Sequence, residues 1–147
     1  MIRVVMGSEP RLLNILRAVV IFRAQEAGLS YPEAEYLALA IDEAAANVIR
    51  HTYGGCHDAL LALEVRNLPD RLEFLLEDWG PKVCEDLIHP RPLDDLRPGG
   101  LGTFFINSFM DECSYEQDCQ EGNRLKLVKF LSRKGDWCNE GSSTQSG

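Results

Sequence analysis

The sequence predicts a two-layer α/β (α+β) sandwich, with helices covering one face of a mixed, mostly antiparallel sheet. Three observations lead there. Leu61, Leu63 and Val65 alternate along one segment and Leu72, Phe74 and Leu76 along the next, with the turn Asn67-Leu68-Pro69-Asp70 between them; that is the pattern of a β-hairpin. Two longer stretches ahead of it carry apolar residues at helical spacing. The resulting order, β-α-α-β-β-loop-α-β-β, groups strands and helices in the way a two-layer domain requires.

Taken in order, Ile2-Arg3-Val4-Val5-Met6 reads as a short strand. Ser8 is expected to cap a first helix with Pro10 in its opening turn, and Leu12, Leu13, Leu16, Val19, Val20 and Arg23 carry the helical pattern to Gly28. Tyr31-Pro32-Glu33 opens a second helix, which runs to about Thr52 and is closed by Gly54-Gly55. After the hairpin, residues 80–100 are rich in Pro, Gly and Asp and predict a long loop, a length usually functional or disordered in a compact domain. A shorter helix is expected from about Thr103 to Met110, then strands near Cys113–Asp118 and Leu125–Leu131 joined by a turn at Gln120-Glu121-Gly122. Residues 1–134 are expected to form the domain and the polar stretch 135–147 a frayed tail.

A chain of 147 residues suffices for one domain with its own core. No apolar run reaches the length of a membrane span and the N-terminus lacks the apolar stretch of a secretion signal, so a cytoplasmic protein without membrane contact is expected. The net charge of −8 argues against general phosphate neutralisation, hence against direct nucleic-acid binding. A nucleotide held by a metal ion and backbone amides remains compatible with it. Cys56, Cys84, Cys113, Cys119 and Cys138 are odd in number and form no C-x-x-C pair, which predicts reduced, mostly packed thiols.

Three constellations carry the chemistry. On the second helix Leu37, Ile41, Ala44 and Val48 form the core stripe, while Glu43, Asn47 and His51 line up beside it at i, i+4, i+8. The amide oxygen of Asn47 is a hard neutral donor suited to Mg²⁺, and Glu43 one turn earlier is placed to accept a proton from an attacking hydroxyl. Taken alone, this stripe is equally the polar edge of an amphipathic helix. At the end of the second hairpin strand stands Glu77-Asp78-Trp79-Gly80-Pro81. A carboxylate there can accept from an exocyclic amine such as adenine N6, and Gly80 lets the backbone turn and approach a flat ring; taken alone it is an ordinary turn. Lastly, Pro98-Gly99-Gly100-Leu101-Gly102-Thr103 leads into a helix, so backbone N–H groups and the Thr103 hydroxyl can face an anion. The Gly-Lys-Ser/Thr of a P-loop is absent.

Together and in this order, EAAANVIRH, EDWG and GGLGTFFINSFMDE resemble the N, G1 and G2 boxes of the Bergerat (GHKL) ATP-binding fold shared by gyrase, Hsp90, histidine kinases and MutL. Within that superfamily the chain is most similar to the anti-sigma-factor serine/threonine kinases of bacterial partner-switching systems, from the first strand to about Leu131. The resemblance implies ATP and Mg²⁺ as cofactors, Asn47 as the metal-binding residue and Glu43 as the catalytic base. It implies Asp78 and Gly80 at the adenine, Gly99, Gly100, Leu101, Gly102 and Thr103 at the phosphates, and a lid over residues 81–99. It further implies an alternative sigma factor and a STAS-domain anti-anti-sigma protein as partners, the latter phosphorylated on serine, and a homodimer. Two positions depart from the family pattern: Lys82 replaces a second glycine after Asp-x-Gly, and Asn123 replaces a threonine common near the adenine. Arg97 is either a γ-phosphate contact or a solvated loop residue, and His51 either structural or functional; Cys56-His57 carries no assigned chemistry. The alternative to a kinase is a catalytically silent ATP-binding module that gates protein–protein binding, and an ATPase activating water would use Glu43 as well.

Overall fold

The computed structural model of the chain describes residues 1–81, 106–116 and 121–132. Strand β1 (Ile2–Gly7) leads through a 3-10 turn at Pro10–Leu12 into helix α1 (Leu13–Glu26), and helix α2 (Tyr31–Asn47) continues into a π-helical turn at Val48–Thr52. Then come β2 (Leu60–Asn67), β3 (Arg71–Asp78), a helical turn over residues 106–109, β4 (Glu112–Tyr115) and β5 (Asn123–Phe130).

The five strands form one sheet in the order β1-β2-β3-β5-β4. Each described pairing is antiparallel, so the parallel pair that a mixed sheet would add is not among them. The hairpin forms as expected: Leu68 N–H bonds the Arg71 carbonyl at 2.9 Å, and Leu63 stands opposite Leu76, Val65 opposite Phe74. Because side chains alternate across a strand, register sorts residues into rows. Ile2, Val65, Phe74, Leu127 and Cys113 make one row facing the helices, and Val4, Leu63, Leu76, Leu125 and Tyr115 the next. In the third, Met6 and Leu61 continue the apolar pattern, but the central strands contribute Asp78 and Asn123. The core therefore gives way to polar chemistry at one end of β3 and β5.

Helices α1 and α2 cover this face. Leu16, Val20 and Ala24 of α1 and Leu37, Ile41 and Ala44 of α2 join the buried cluster with the strand rows. Burying each large aliphatic side chain contributes about 1.5–3 kcal/mol, so the stripe read at helical spacing is what holds the helices to the sheet. The opposite face carries Arg3, Glu64, Glu73, Glu77, Arg124 and Lys126 in cross-strand ion pairs.

Ser8 does not cap α1. It is fully buried, donates its hydroxyl hydrogen to the Cys56 carbonyl at 2.6 Å and accepts from Ala59 N–H at 3.1 Å. A side chain pinned to the incoming edge of β2 cannot turn back onto the helix amides, and Glu9 stands at the cap position of the 3-10 turn, its carboxylate on Arg11 rather than on the turn's amides. The expected residue 135–147 tail, the loop from Lys82 onward and the glycine-rich segment 98–103 lie outside the described residues.

Candidate nucleotide site

The first half of the site is built by α2. Its start is fixed by a capping box: the Ser30 hydroxyl accepts from Glu33 N–H at 3.3 Å, and the Glu33 carboxylate accepts from Ser30 N–H at 2.9 Å. Four turns on, Glu43 and Asn47 are both half-buried beside the core stripe, one turn apart on the same side of the helix. Arg50 joins them. Its Nη2 donates to Asn47 Oδ1 at 2.8 Å and lies 3.6 Å from Glu43 Oε2. A carboxylate oxygen and an amide oxygen thus converge on one cationic group. Asp42, the preceding carboxyl, lies about 100° further round the helix. Burial pushes its pKa above the ordinary range, with the charge of Arg17 opposing the shift.

The helix then widens. Tyr53 N–H bonds the Val48 carbonyl at 2.9 Å, an i→i+5 closure, and Gly55 N–H returns to the Ile49 carbonyl at 2.7 Å. Gly54 and Gly55 adopt φ +58° and +84°, the left-handed conformation that closes a helix. The wider turn rotates whatever follows relative to a regular α-helix. His51, within this turn, is exposed, whereas Glu43 and Asn47 are half-buried.

The second half lies at the end of β3. Asp78 is 4% exposed, and its Oδ1 accepts from Gly80 N–H and from Asn123 Nδ2, both at 2.9 Å. Asn123 Nδ2 also donates to the Pro81 carbonyl at 2.8 Å. The residue standing where the family pattern has threonine therefore holds the strand-end carboxylate directly. The chain bends at Gly80 as expected, and Gly80 is confined as well. Its φ is not positive; instead a Cβ there would overlap Thr52 Cγ2 and lie 3.2 Å from Tyr53 Cε1, so glycine lets the chain pass against the end of α2. Gly122 makes a similar close approach. At φ +68° it lies against the Asp78 carbonyl, which a Cβ would overlap, with Trp79 Cα 2.7 Å away.

Tyr53 joins the halves. Its hydroxyl donates to the Leu60 carbonyl at 2.6 Å and accepts from Trp79 N–H at 2.8 Å. Burial chiefly raises its pKa, the Trp79 bond opposes this and the Asp78 charge adds to it, so the phenol stays protonated at neutral pH. Tyr115 on β4 is pushed up to about 12, first by burial and then by the same carboxylate. The residues bearing Asn47 and Asp78 are thereby one hydrogen-bonded unit.

Sequence reasoning brought Glu43, Asn47, Asp78, Gly80 and Asn123 into view. It missed Arg50, Thr52, Tyr53, Tyr115 and Gly122 as parts of the site. Arg50 was readable in principle, since i, i+3 from Asn47 shares its helix face; the approach of Gly122 to Asp78 depends on strand register and was not. Lys82, Arg97, Gly99, Gly100, Leu101, Gly102 and Thr103 lie outside the described residues.

Among the described residues no group of three or more His, Cys, Asp and Glu could hold a metal ion, and no helix is long and apolar enough to cross a membrane. The donor set suits a different kind of site: one carboxylate and one amide oxygen, already gathered around a positive charge, match Mg²⁺ that keeps most of its water and takes further oxygens from phosphates.

Comparisons with known proteins identify the family and the fold. The profile of the histidine kinase-like ATPase domain family matches residues 7–129. The serine-protein kinase RsbW of Bacillus pumilus (strain SAFR-032) is 31% identical over 137 residues, covering 86% of this chain and 83% of its own. The RsbW of Halalkalibacterium halodurans is 29% identical over 140 residues, covering 90% and 84%. Among solved structures, the histidine kinase domain of the Erythrobacter litoralis EL346 blue-light activated histidine kinase superposes with a TM-score of 0.51 at 13% identity. That match covers 84% of this chain and 60% of the other, and it shows the shared fold. The chain belongs to the histidine kinase-like ATPase domain family, among relatives of the RsbW serine-protein kinases.

Proposed function

We propose that the chain is an ATP-dependent serine kinase and anti-sigma factor that phosphorylates a STAS-type anti-anti-sigma protein. Family membership makes it an enzyme of the protein kinase and ATPase kind and implies use of ATP with Mg²⁺. The observation that supports the finer reading is the Tyr53–Trp79 hydrogen bond, which ties the segment following Glu43 and Asn47 to the residue after the buried Asp78 carboxylate.

Bound there, ATP with Mg²⁺ would supply the phosphoryl group and much of the charge that offsets its transfer. Asp78 accepts from the exocyclic amine of adenine, its carboxylate held in place by Gly80 N–H and Asn123 Nδ2. Asn47 Oδ1 offers the metal a neutral oxygen. Glu43 takes the proton from a serine hydroxyl as that oxygen forms its bond to the γ-phosphorus and the bond to the β-phosphate bridging oxygen breaks. In this reading Gly99, Gly100, Leu101, Gly102 and Thr103 present amides and a hydroxyl to the phosphates. In this reading the partners are an alternative sigma factor and the STAS protein, and the chain acts as a homodimer.

The test incubates the purified chain with ATP·Mg²⁺ and STAS-domain antagonists from the same genome, reading their intact mass. One added phosphate on a serine, lost in Glu43→Gln while ATP binding persists, is the expected result. Tight ATP binding with no phosphorylation of any antagonist would overturn the kinase reading in favour of a nucleotide-gated binding module.

A further inference from the structure

We infer that Arg50 is a built-in stand-in for the metal ion: its guanidinium occupies the cation position between Glu43 and Asn47 and yields it only when a phosphate chain draws it away. The inference rests on the reading of Asn47 as the metal-binding residue, with the Glu43 base one turn before it. Its basis is geometric. One nitrogen, Arg50 Nη2, faces both groups: it donates to Asn47 Oδ1 at 2.8 Å and lies at ion-pair distance, 3.6 Å, from Glu43 Oε2. Asn47 Oδ1 cannot at once hold a Mg²⁺ ion and accept from this guanidinium, since the two cations would repel at contact distance beside the Glu43 carboxylate.

The side chain is built to leave. It is 52% exposed, so releasing it uncovers no buried charge, and it stands on the π-helical turn Val48–Thr52 rather than within α2. An arginine also binds phosphate oxygens bidentately, so a nucleotide offers the displaced guanidinium a better acceptor than the amide it gives up. Metal and nucleotide consequently arrive as a coupled pair. Mg²⁺ alone must compete with a tethered cation, whereas Mg²⁺ arriving with phosphates meets oxygens already cleared. Coupling of this kind is reciprocal: whatever factor the nucleotide adds to metal affinity, the metal adds to nucleotide affinity.

The experiment uses the full chain and Mn²⁺ as probe, with free Mn²⁺ followed by electron paramagnetic resonance, first alone and then with saturating ADP. Wild type, Arg50→Met, Arg50→Lys and Arg11→Met are compared, the last removing the same charge from an exposed position paired only with Glu9 in the described contacts. An exposed ion pair is a modest competitor, so Arg50→Met is expected to bind Mn²⁺ alone about two- to fivefold more tightly than wild type. The gain in Mn²⁺ affinity on adding ADP should shrink in that variant, while Arg50→Lys stays near wild type and Arg11→Met is unchanged. Equal tightening in Arg50→Met and Arg11→Met would mean that only net charge matters, and an unaltered ADP-dependent gain would mean that Arg50 is not displaced; either overturns the inference. If ADP does not raise Mn²⁺ affinity in wild type and Asn47→Ala binds the ion as wild type does, the metal end itself has been misread, an outcome distinct from the other two.

Discussion

The site depends on a few atoms held at close quarters, and substitutions there should separate chemistry from binding. General-base catalysis contributes about 10²–10⁴-fold to rate, so Glu43→Gln should lower phosphotransfer by at least about 100-fold. Its amide keeps the shape and accepting oxygen of the carboxylate, so ATP affinity, measured by titration calorimetry, should change little. Asp78→Asn acts at the opposite end. The Asp78 carboxylate already takes donors from Gly80 and Asn123, and an amide there turns one acceptor into a donor facing the adenine amine. A hydrogen bond to a charged group is worth about 1.5–3 kcal/mol, so nucleotide affinity should fall about 10- to 100-fold, with the loss much smaller for nucleotides lacking an exocyclic amine. An equal loss for adenine and hypoxanthine nucleotides would remove Asp78 from base recognition. Gly122→Ala distorts the same corner through the backbone, because φ +68° disfavours a side chain and the new Cβ meets the Asp78 carbonyl. It should cost about 1–3 kcal/mol in urea unfolding as well as nucleotide affinity, whereas Asp78→Asn should cost mainly affinity.

At the scale of elements, α2 delivers Glu43, Asn47 and Arg50 from a start fixed by Ser30 and Glu33. Removing that cap by Ser30→Ala should cost about 0.5–2 kcal/mol in chemical denaturation, with the nucleotide affinity of the folded protein unchanged because the site lies at the other end of the helix. A parallel fall in affinity would show that the helix start and the site are coupled. The elements were legible because their signals are periodic and local: the core stripe Leu37–Ile41–Ala44–Val48 is buried as its spacing requires, and the alternation about Pro69 became β2 and β3. What escaped the sequence was set by contacts far along the chain. Ser8 has the chemistry of a helix cap, but its hydroxyl is claimed by Cys56 and Ala59, about fifty positions away. The helix passes into a π-turn over Val48–Thr52, where His51 is exposed, and nothing in VIRHT announces it. The bend at Gly80 is legible in the sequence, but the crowding by Thr52 that also demands a glycine there is not. Tyr53 links three segments through one hydroxyl, a role with no local signature at all.

For the whole molecule, the sheet face turned away from the helices adds a dependence on pH that has nothing to do with catalysis. Glu77 is 7% exposed at the centre of that face, where Arg3 Nη2 pairs with Oε2 at 2.7 Å and Arg124 Nε with Oε1 at 2.8 Å. Arg3 belongs to β1 and Arg124 to β5, so the carboxylate ties together strands on both sides of β3. The Arg3 hydrogen bond holds its pKa below the ordinary 4.5; burial works against this and Arg124 supports it. A carboxyl whose folded pKa is depressed binds fewer protons folded than unfolded, so it contributes stability in full above the unfolded value. That contribution is lost as pH falls through the depressed folded value. Glu77→Gln should therefore lower the melting temperature at pH 7, and the gap from wild type should close progressively below about pH 4. Arg3→Gln should show the same convergence with a smaller gap, since its guanidinium is partly exposed and screened. A control at Glu9, whose partner Arg11 is exposed, should leave the melting temperature nearly unchanged throughout. A Glu77→Gln gap that persists undiminished at pH 3 would assign the role of this residue to packing rather than charge. The sheet would then owe its cohesion on both faces to burial, with the arginines serving mainly as cover.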